Sequence, residues 1–207
     1  MADELIFYTN PMSRGRIARW MLEEVGAPYR TEILDFATTM KAPEYLAINP
    51  MGKVPAIRHG DTVVTECAAI CAYLADAFPD AGFAPPSGQR GAYYRWLFFA
   101  AGPVEASVSD KALGVEVPAD KRGMVGYGSL ESVVDTLEKA VSGSDYLAGD
   151  RFTAADLYVG AHIGWGMQFG TIEKRPAFER YHARVTDRDA FRRAQELDDA
   201  AMPKDAG

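Results

Sequence analysis

The spacing of apolar residues changes character several times along the chain. Leu5-Ile6-Phe7-Tyr8 is a compact run of strand-forming residues, closed by the turn pair Asn10-Pro11. From Ser13 to Val25 the spacing becomes helical: Ile17, Trp20, Met21 and Leu22 fall at helix intervals, and Gly26 supplies the stop. Tyr29 to Leu34 predicts a second strand, 43–48 a short helix, and Asn49-Pro50-Met51-Gly52 a loop. Val54 to Arg58 and Thr62 to Thr65 predict two strands separated by His59-Gly60-Asp61, a short Gly-containing hairpin connection. A helix is expected over 66–78, with Ile70, Cys71, Tyr73 and Leu74 on one face and Pro79 at its end. The order β-α-β-α-β-β-α implies a parallel pair joined by a helix, then an antiparallel hairpin. Together these form a mixed sheet with helices on its faces.

Beyond Pro79 the pattern is different. Pro, Gly, Ala and Ser dominate as far as Gly88, as in an interdomain linker, and no strand pattern appears after Gln89. Helices are expected at 90–112, 121–142, 153–168, 176–186 and 189–197. Pro103 should kink the first of them, because it lacks an N–H and clashes with the preceding turn. The organisation read from this is an α/β domain over 1–80, a linker over 81–89 and an all-helical domain over 90–207.

Charge and composition narrow the partners. The 207 residues carry a net charge of -7, which disfavours nucleic acid and anionic membrane surfaces as partners. The opening Met1-Ala2-Asp3-Glu4 is acidic where a secretory leader needs basic residues, and the apolar stretch 96–104 is too short to cross a bilayer. The two cysteines, Cys67 and Cys71, stand one helical turn apart, so a disulfide framework is not expected and a reducing cytoplasm is the natural location. His59, His162 and His182 are isolated and show no metal-ligand spacing.

Two segments carry chemistry. In Asn49-Pro50-Met51-Gly52-Lys53-Val54-Pro55, Pro55 stands where it cannot donate to a sheet ladder. Either the Val54–Pro55 bond is cis, turning the Val54 N–H and C=O outward to pair with an extended peptide, or Pro55 simply ends a loop. In Thr65-Glu66-Cys67-Ala68, a helix starts directly after a strand. Its free N–H groups would attract a carboxylate while Glu66 holds an ammonium; alternatively, Glu66 is an ordinary acidic cap.

These segments, followed by Tyr73-Leu74-Ala75, resemble the N-terminal domain of the glutathione transferase family. Tyr146-Leu147-Ala148-Gly149-Asp150-Arg151-Phe152-Thr153-Ala154-Ala155-Asp156 resembles the family's buried capping segment, with Thr153 and Asp156 as a capping box. The resemblance spans essentially the whole chain. It implies a thioredoxin-like N-terminal domain and an all-helical bundle. It also implies a cis bond before Pro55, with Val54 pairing to the cysteinyl backbone of glutathione and Glu66 and Cys67 binding its γ-glutamyl end. Lys53 and Lys41 are then candidates for its glycyl carboxylate. No cofactor is expected, glutathione being a co-substrate, and a homodimer is the family's usual state.

The expected activity is glutathione transfer to a small apolar electrophile, or reduction of organic hydroperoxides. A non-catalytic glutathione-binding or scaffolding member of the fold is the alternative. Activation of the thiol is expected from Ser13 at the start of the first helix, with Tyr8 as the other hydroxyl candidate and Arg14 adding positive potential. Arg16 and Arg19 are expected to face solvent or the domain interface. Tyr94, Phe98, Phe99 and Pro103 are expected to line an apolar pocket between the domains, with Trp165 and Phe169 closing it. The strip between Tyr8 and Arg16 contains no cysteine, which disfavours thiol–disulfide exchange.

Overall fold

The computed structural model describes residues 3–203, so Met1 and Ala2 of the acidic opening lie outside the described residues. By its internal contacts the chain divides into two compact units. One contains the residues up to Gly82 together with those from Arg188 onward; the other is Phe83–Asp187.

The first unit contains β1 (Leu5–Thr9), α1 (Gly15–Val25), β2 (Arg30–Ile33), α2 (Pro43–Leu46), β3 (Ala56–His59), β4 (Thr62–Thr65) and α3 (Cys67–Ala77), in the predicted order. The sheet runs β2-β1-β3-β4, with β1 parallel to β2 and the other pairs antiparallel. β1 is buried along its whole length, as a central strand covered on both faces must be. Apolar residues on one face of β1, Ile6 and Tyr8, pack with Met40, Tyr45 and Ala56, and with Leu34, Ile48 and Val54 at the edge of that cluster. α1 buries Ile17, Ala18, Trp20, Met21 and Leu22 and ends at Gly26, which takes the left-handed conformation.

A final helix, α9 (Asp189–Ala200), packs on α1 within this unit, although helical content alone groups it with the second domain. Trp20 meets Phe191 edge-on with ring centroids 4.8 Å apart. Arg188 grips the Glu24 carboxylate with two hydrogen bonds. Arg19 is not a surface residue. It is 4% exposed and pairs with Asp198, 1% exposed, at 2.7 Å, while its Nη1 reaches the Tyr29 hydroxyl. Burial works to lower the Arg19 pKa, but the Asp198 charge and hydrogen bond outweigh it and leave the group more firmly protonated. Burial raises the Asp198 carboxyl, and Arg19 offsets that only in part. Taken together these two shifts describe a latch that is costly to break rather than a large net source of stability.

The second unit is helical. α4 (Gly91–Phe99) runs through a π-helical turn, Ala100–Val104, into α5 (Glu105–Leu113). Pro103 lies in that turn, so the expected interruption takes the form of a widened turn. The helix predicted from 121 begins later, as α6 (Leu130–Gly143), because Gly126 and Gly128 separate it from a short 3-10 helix, Ala119–Met124. Ser129 then caps α6 by accepting the Ser132 N–H. α7 (Ala154–Phe169) is followed by α8 (Pro176–Thr186). Asp156 is fully buried; its carboxylate accepts from the Thr153 N–H at 2.9 Å, the Leu147 N–H at 2.8 Å and the Tyr181 hydroxyl at 2.8 Å. The capping box is therefore in place, and it also ties α7 to α8. No helix among the described residues is long and apolar enough to cross a membrane.

Breaking the buried latch from one side should cost far more than removing it whole. Arg19→Met is expected to lower unfolding stability by roughly 3–5 kcal/mol, and adding Asp198→Leu should restore most of the loss. Urea unfolding of the two variants checks this; a double variant no better than the single one would contradict it.

Candidate active site

Strand register brings three distant stretches of sequence to one end of the sheet. Tyr8 stands opposite Ala56, and Ala56 opposite Thr65. The residues that leave β1, enter β3 and leave β4 therefore emerge together: 9–16, 53–55, and 66–67. Cys67 confirms the approach, its Sγ lying 3.6 Å from the Arg14 carbonyl oxygen.

The segment after β1 is a tight turn with Pro11 and Met12 at its centre. Ser13 N–H donates to Asn10 O at 3.1 Å. Asn10 is buried, and its side-chain amide donates to Leu34 O while its Oδ1 accepts the Met12 N–H. α1 starts at Gly15, just past the predicted Ser13 boundary. A Cβ at Gly15 would lie 1.9 Å from Thr9 Oγ1, so only glycine lets the helix begin this close to the strand. Ser13 is half-buried; its hydroxyl donates to Asn10 O at 2.6 Å and accepts the Gly15 N–H at 2.9 Å. Arg14 is exposed beside it. Tyr8 is buried in the apolar cluster below, its ring centroid 5.6 Å from that of Tyr45.

The segment before β3 is held by polar contacts from α2 and from the chain on either side of it. Tyr45 and the Asn49 amide both donate to Lys53 O, and Lys41 Nζ donates to Gly52 O at 2.6 Å. Burial pushes the Tyr45 hydroxyl up to about 12, so it stays protonated to donate. Gly52 sits at φ +56, where a Cβ would crowd Lys41 Nζ at 3.0 Å and the Met40 carbonyl at 3.1 Å. The Val54–Pro55 bond is cis, Pro55 is buried and Val54 half-buried. Neither backbone polar group of Val54 has a hydrogen-bond partner among the described residues. Lys53 is exposed. Lys41, by contrast, already spends one donor on the loop.

Glu66 joins β4 to α3 at φ 66, ψ 116, a non-glycine residue held in a sparsely populated backbone region. Such strain costs on the order of 1–3 kcal/mol and persists only where its surroundings enforce it. Its side chain makes no capping hydrogen bond and is exposed, so the acidic-cap alternative is not realised. Cys67 is buried at the first position of α3. Cys71, one turn on, is fully buried; its hydrogen bond to Cys67 and its burial raise its pKa well above the ordinary thiol range.

The candidates in the helical unit are placed differently. Tyr94 and Phe98, at i and i+4, lie on the outer face of α4; Phe98 is 71% exposed. Phe99 is half-buried against Trp96, with ring centroids 5.6 Å apart. Trp165 and Phe169 pair on α7, with Phe169 exposed. An open groove of about 380 Å³ between α6 and α8, lined by Arg180 and Arg184 among others, contains none of the predicted residues. No group of three or more His, Cys, Asp or Glu side chains among the described residues is gathered to hold a metal ion.

Sequence reasoning missed the supporting polar residues Asn10, Tyr45 and Asn49. Asn and Pro beside a Gly signal a turn but do not say which carbonyl the amide will hold.

A model of the glutathione S-transferase N-terminal domain matches residues 12–77, and one of the C-terminal domain matches 127–189. A glutathione S-transferase of Xanthomonas campestris is 27% identical over 175 residues, 79% of this chain and 83% of its own length. A solved glutathione transferase from Methylococcus capsulatus is 28% identical with a TM-score of 0.78, over 95% of this chain and 99% of that one. A sphingomonad glutathione S-transferase solved in complex with glutathione is 27% identical with a TM-score of 0.75, over 94% and 98% of the two chains. With both domain models matched in order and the mixed sheet and helical bundle in place, the chain belongs to the glutathione S-transferase family.

Proposed function

We propose that this protein binds glutathione at the end of the sheet where β1, β3 and β4 converge, and activates its thiol for transfer to an apolar electrophile. The observation that carries this reading is that convergence: a Val54 backbone with no hydrogen-bond partner among the described residues, a strained Glu66 opening α3, and the Ser13 turn opening α1. An extended tripeptide laid beside Val54 would gain two backbone hydrogen bonds. Its γ-glutamyl carboxylate would meet the first N–H groups of α3 at Cys67, and its ammonium the Glu66 side chain. Lys53, with the spare donors of Lys41, suits the glycyl carboxylate.

The free thiol has a pKa of about 8.5, so lowering it by about 2 units takes roughly 2.7 kcal/mol of preference for the thiolate. Ser13 fits this task better than Tyr8. The Gly15 N–H holds the Ser13 oxygen in place while its proton swings from Asn10 O to the sulfur by rotation about the C–O bond. The positive end of α1 adds to the same effect, and Arg14 lends charge nearby. Tyr8 lies within the apolar cluster, beside Tyr45. Conjugation and hydroperoxide reduction both use this thiolate. Family resemblance supports a homodimer in the cytoplasm.

Calorimetry of glutathione binding and turnover of a chloronitroaromatic substrate test the reading together. Ser13→Ala should raise the pKa of the bound thiol by about 1–2 units and cut kcat/KM near neutrality by roughly 10–100-fold, while Tyr8→Phe changes it little. Binding without turnover in the wild type would instead mark a binding module, and absence of binding would sink the function outright.

Glu66→Gly separates fold from function. Relief of the backbone strain should raise stability by about 1 kcal/mol in thermal melts while glutathione affinity drops at least about tenfold. A destabilised variant with intact affinity would contradict both assignments.

A further inference from the structure

The turn that carries Ser13 is held on both sides of one peptide plane. The N–H of the peptide joining Pro11 to Met12 donates to Asn10 Oδ1 at 2.9 Å. Its carbonyl oxygen, Pro11 O, accepts from Arg16 Nε at 2.6 Å. The orientation of this central peptide is what distinguishes the two commonest turn types, so gripping both its ends selects one of them. The same guanidinium continues to α9, with Nη2 2.8 Å from Asp199 Oδ1. The Asp199 side chain is 67% exposed, so that ion pair adds little stability; what it can do is aim the guanidinium.

We infer that Arg16 is a positioning residue for thiol activation: its Nε–H locks the Pro11–Met12 peptide and so fixes the Ser13 hydroxyl at the start of α1, while α9 steadies the guanidinium through Asp199. The inference rests on the function proposed above, in which the sulfur of glutathione meets Ser13. It explains why an arginine one residue into α1 bends back toward the preceding turn instead of extending into solvent. Activation of a thiol by one hydroxyl is sensitive to position, and displacement by about 1 Å at a reacting group is enough to cost about 100-fold. The charged and titratable groups around the turn are Arg14 and Arg16 at the start of α1, Asp198 and Asp199 on α9, and Cys67 on α3, whose thiol touches the Arg14 carbonyl. The locking itself needs none of them to change protonation.

Side-chain geometry offers a clean test. The amide nitrogen of glutamine occupies the same place along the side chain as arginine Nε, so Arg16→Gln keeps the donor to Pro11 O without the charge. Arg16→Met keeps the aliphatic stem and loses the donor. The ultraviolet absorbance of the thiolate, followed against pH in the glutathione complex, reads the bound thiol directly and without an electrophile. Calorimetry reports glutathione affinity alongside it.

The expected result is a Gln variant that titrates with the wild type. The Met variant should show a thiol pKa higher by about one unit and kcat/KM near neutrality about tenfold lower, with affinity within about twofold of wild type. Thermal melts accompany each variant, and Arg16→Leu replaces the Met variant should that one not fold. A Met variant that titrates like the wild type overturns the inference. So does a Gln variant displaced as far as the Met variant, because charge rather than turn geometry would then be the agent. A wild-type complex whose thiol titrates like free glutathione overturns the proposed function and this inference with it, an outcome distinguishable because it appears before any substitution is made.

Discussion

Tyr8, Ala56 and Thr65 stand abreast in three neighbouring strands, and the candidate site exists because of that alignment. A slip of one residue between β1 and β3 would turn every side chain of β3 to the opposite face and carry Val54 away from the Ser13 turn. The buried face of β1 prevents such a slip, since Ile6 and Tyr8 must both meet Ala56, Tyr45 and Met40. Hydrophobic packing thus sets the register, and the register sets the distance between groups separated by about fifty residues of chain.

Around that alignment, polar contacts do what packing cannot. The shape of the loop before Pro55 is kept by donors from Lys41, Tyr45 and Asn49 onto two consecutive carbonyls. The turn after β1 is kept in the same way, by Asn10 and Arg16. Glu66 completes the set with a strained backbone between β4 and α3, both firmly packed. Each device fixes backbone rather than side chain, which suits the proposed pairing of the Val54 backbone with an extended peptide.

The latch between α1 and α9 extends this logic to the far end of the chain. Arg19 and Asp198 are buried as a pair, Glu24 is held by Arg188, and Trp20 packs on Phe191. Because Arg16 lies on the same helix, the surface that docks α9 also borders the turn carrying Ser13. Packing at the last helix and geometry at the first loop are therefore physically connected.

The sequence by itself determined the order of elements. Strand and helix each impose a period on the apolar residues, and Gly26, Pro79 and the His59-Gly60-Asp61 connection mark their ends locally. It also displayed the Val54-Pro55 and Glu66-Cys67 steps, because each is a signal carried by adjacent residues. Only the tertiary structure decided that Arg19 is buried, that α9 belongs beside α1, that the helix expected from 121 waits until Leu130, and that Lys41 serves the Gly52 carbonyl. Periodicity reports which side of a helix is apolar; it carries no record of a partner almost two hundred residues away. An arginine reads as a surface charge until the fold brings an aspartate against it.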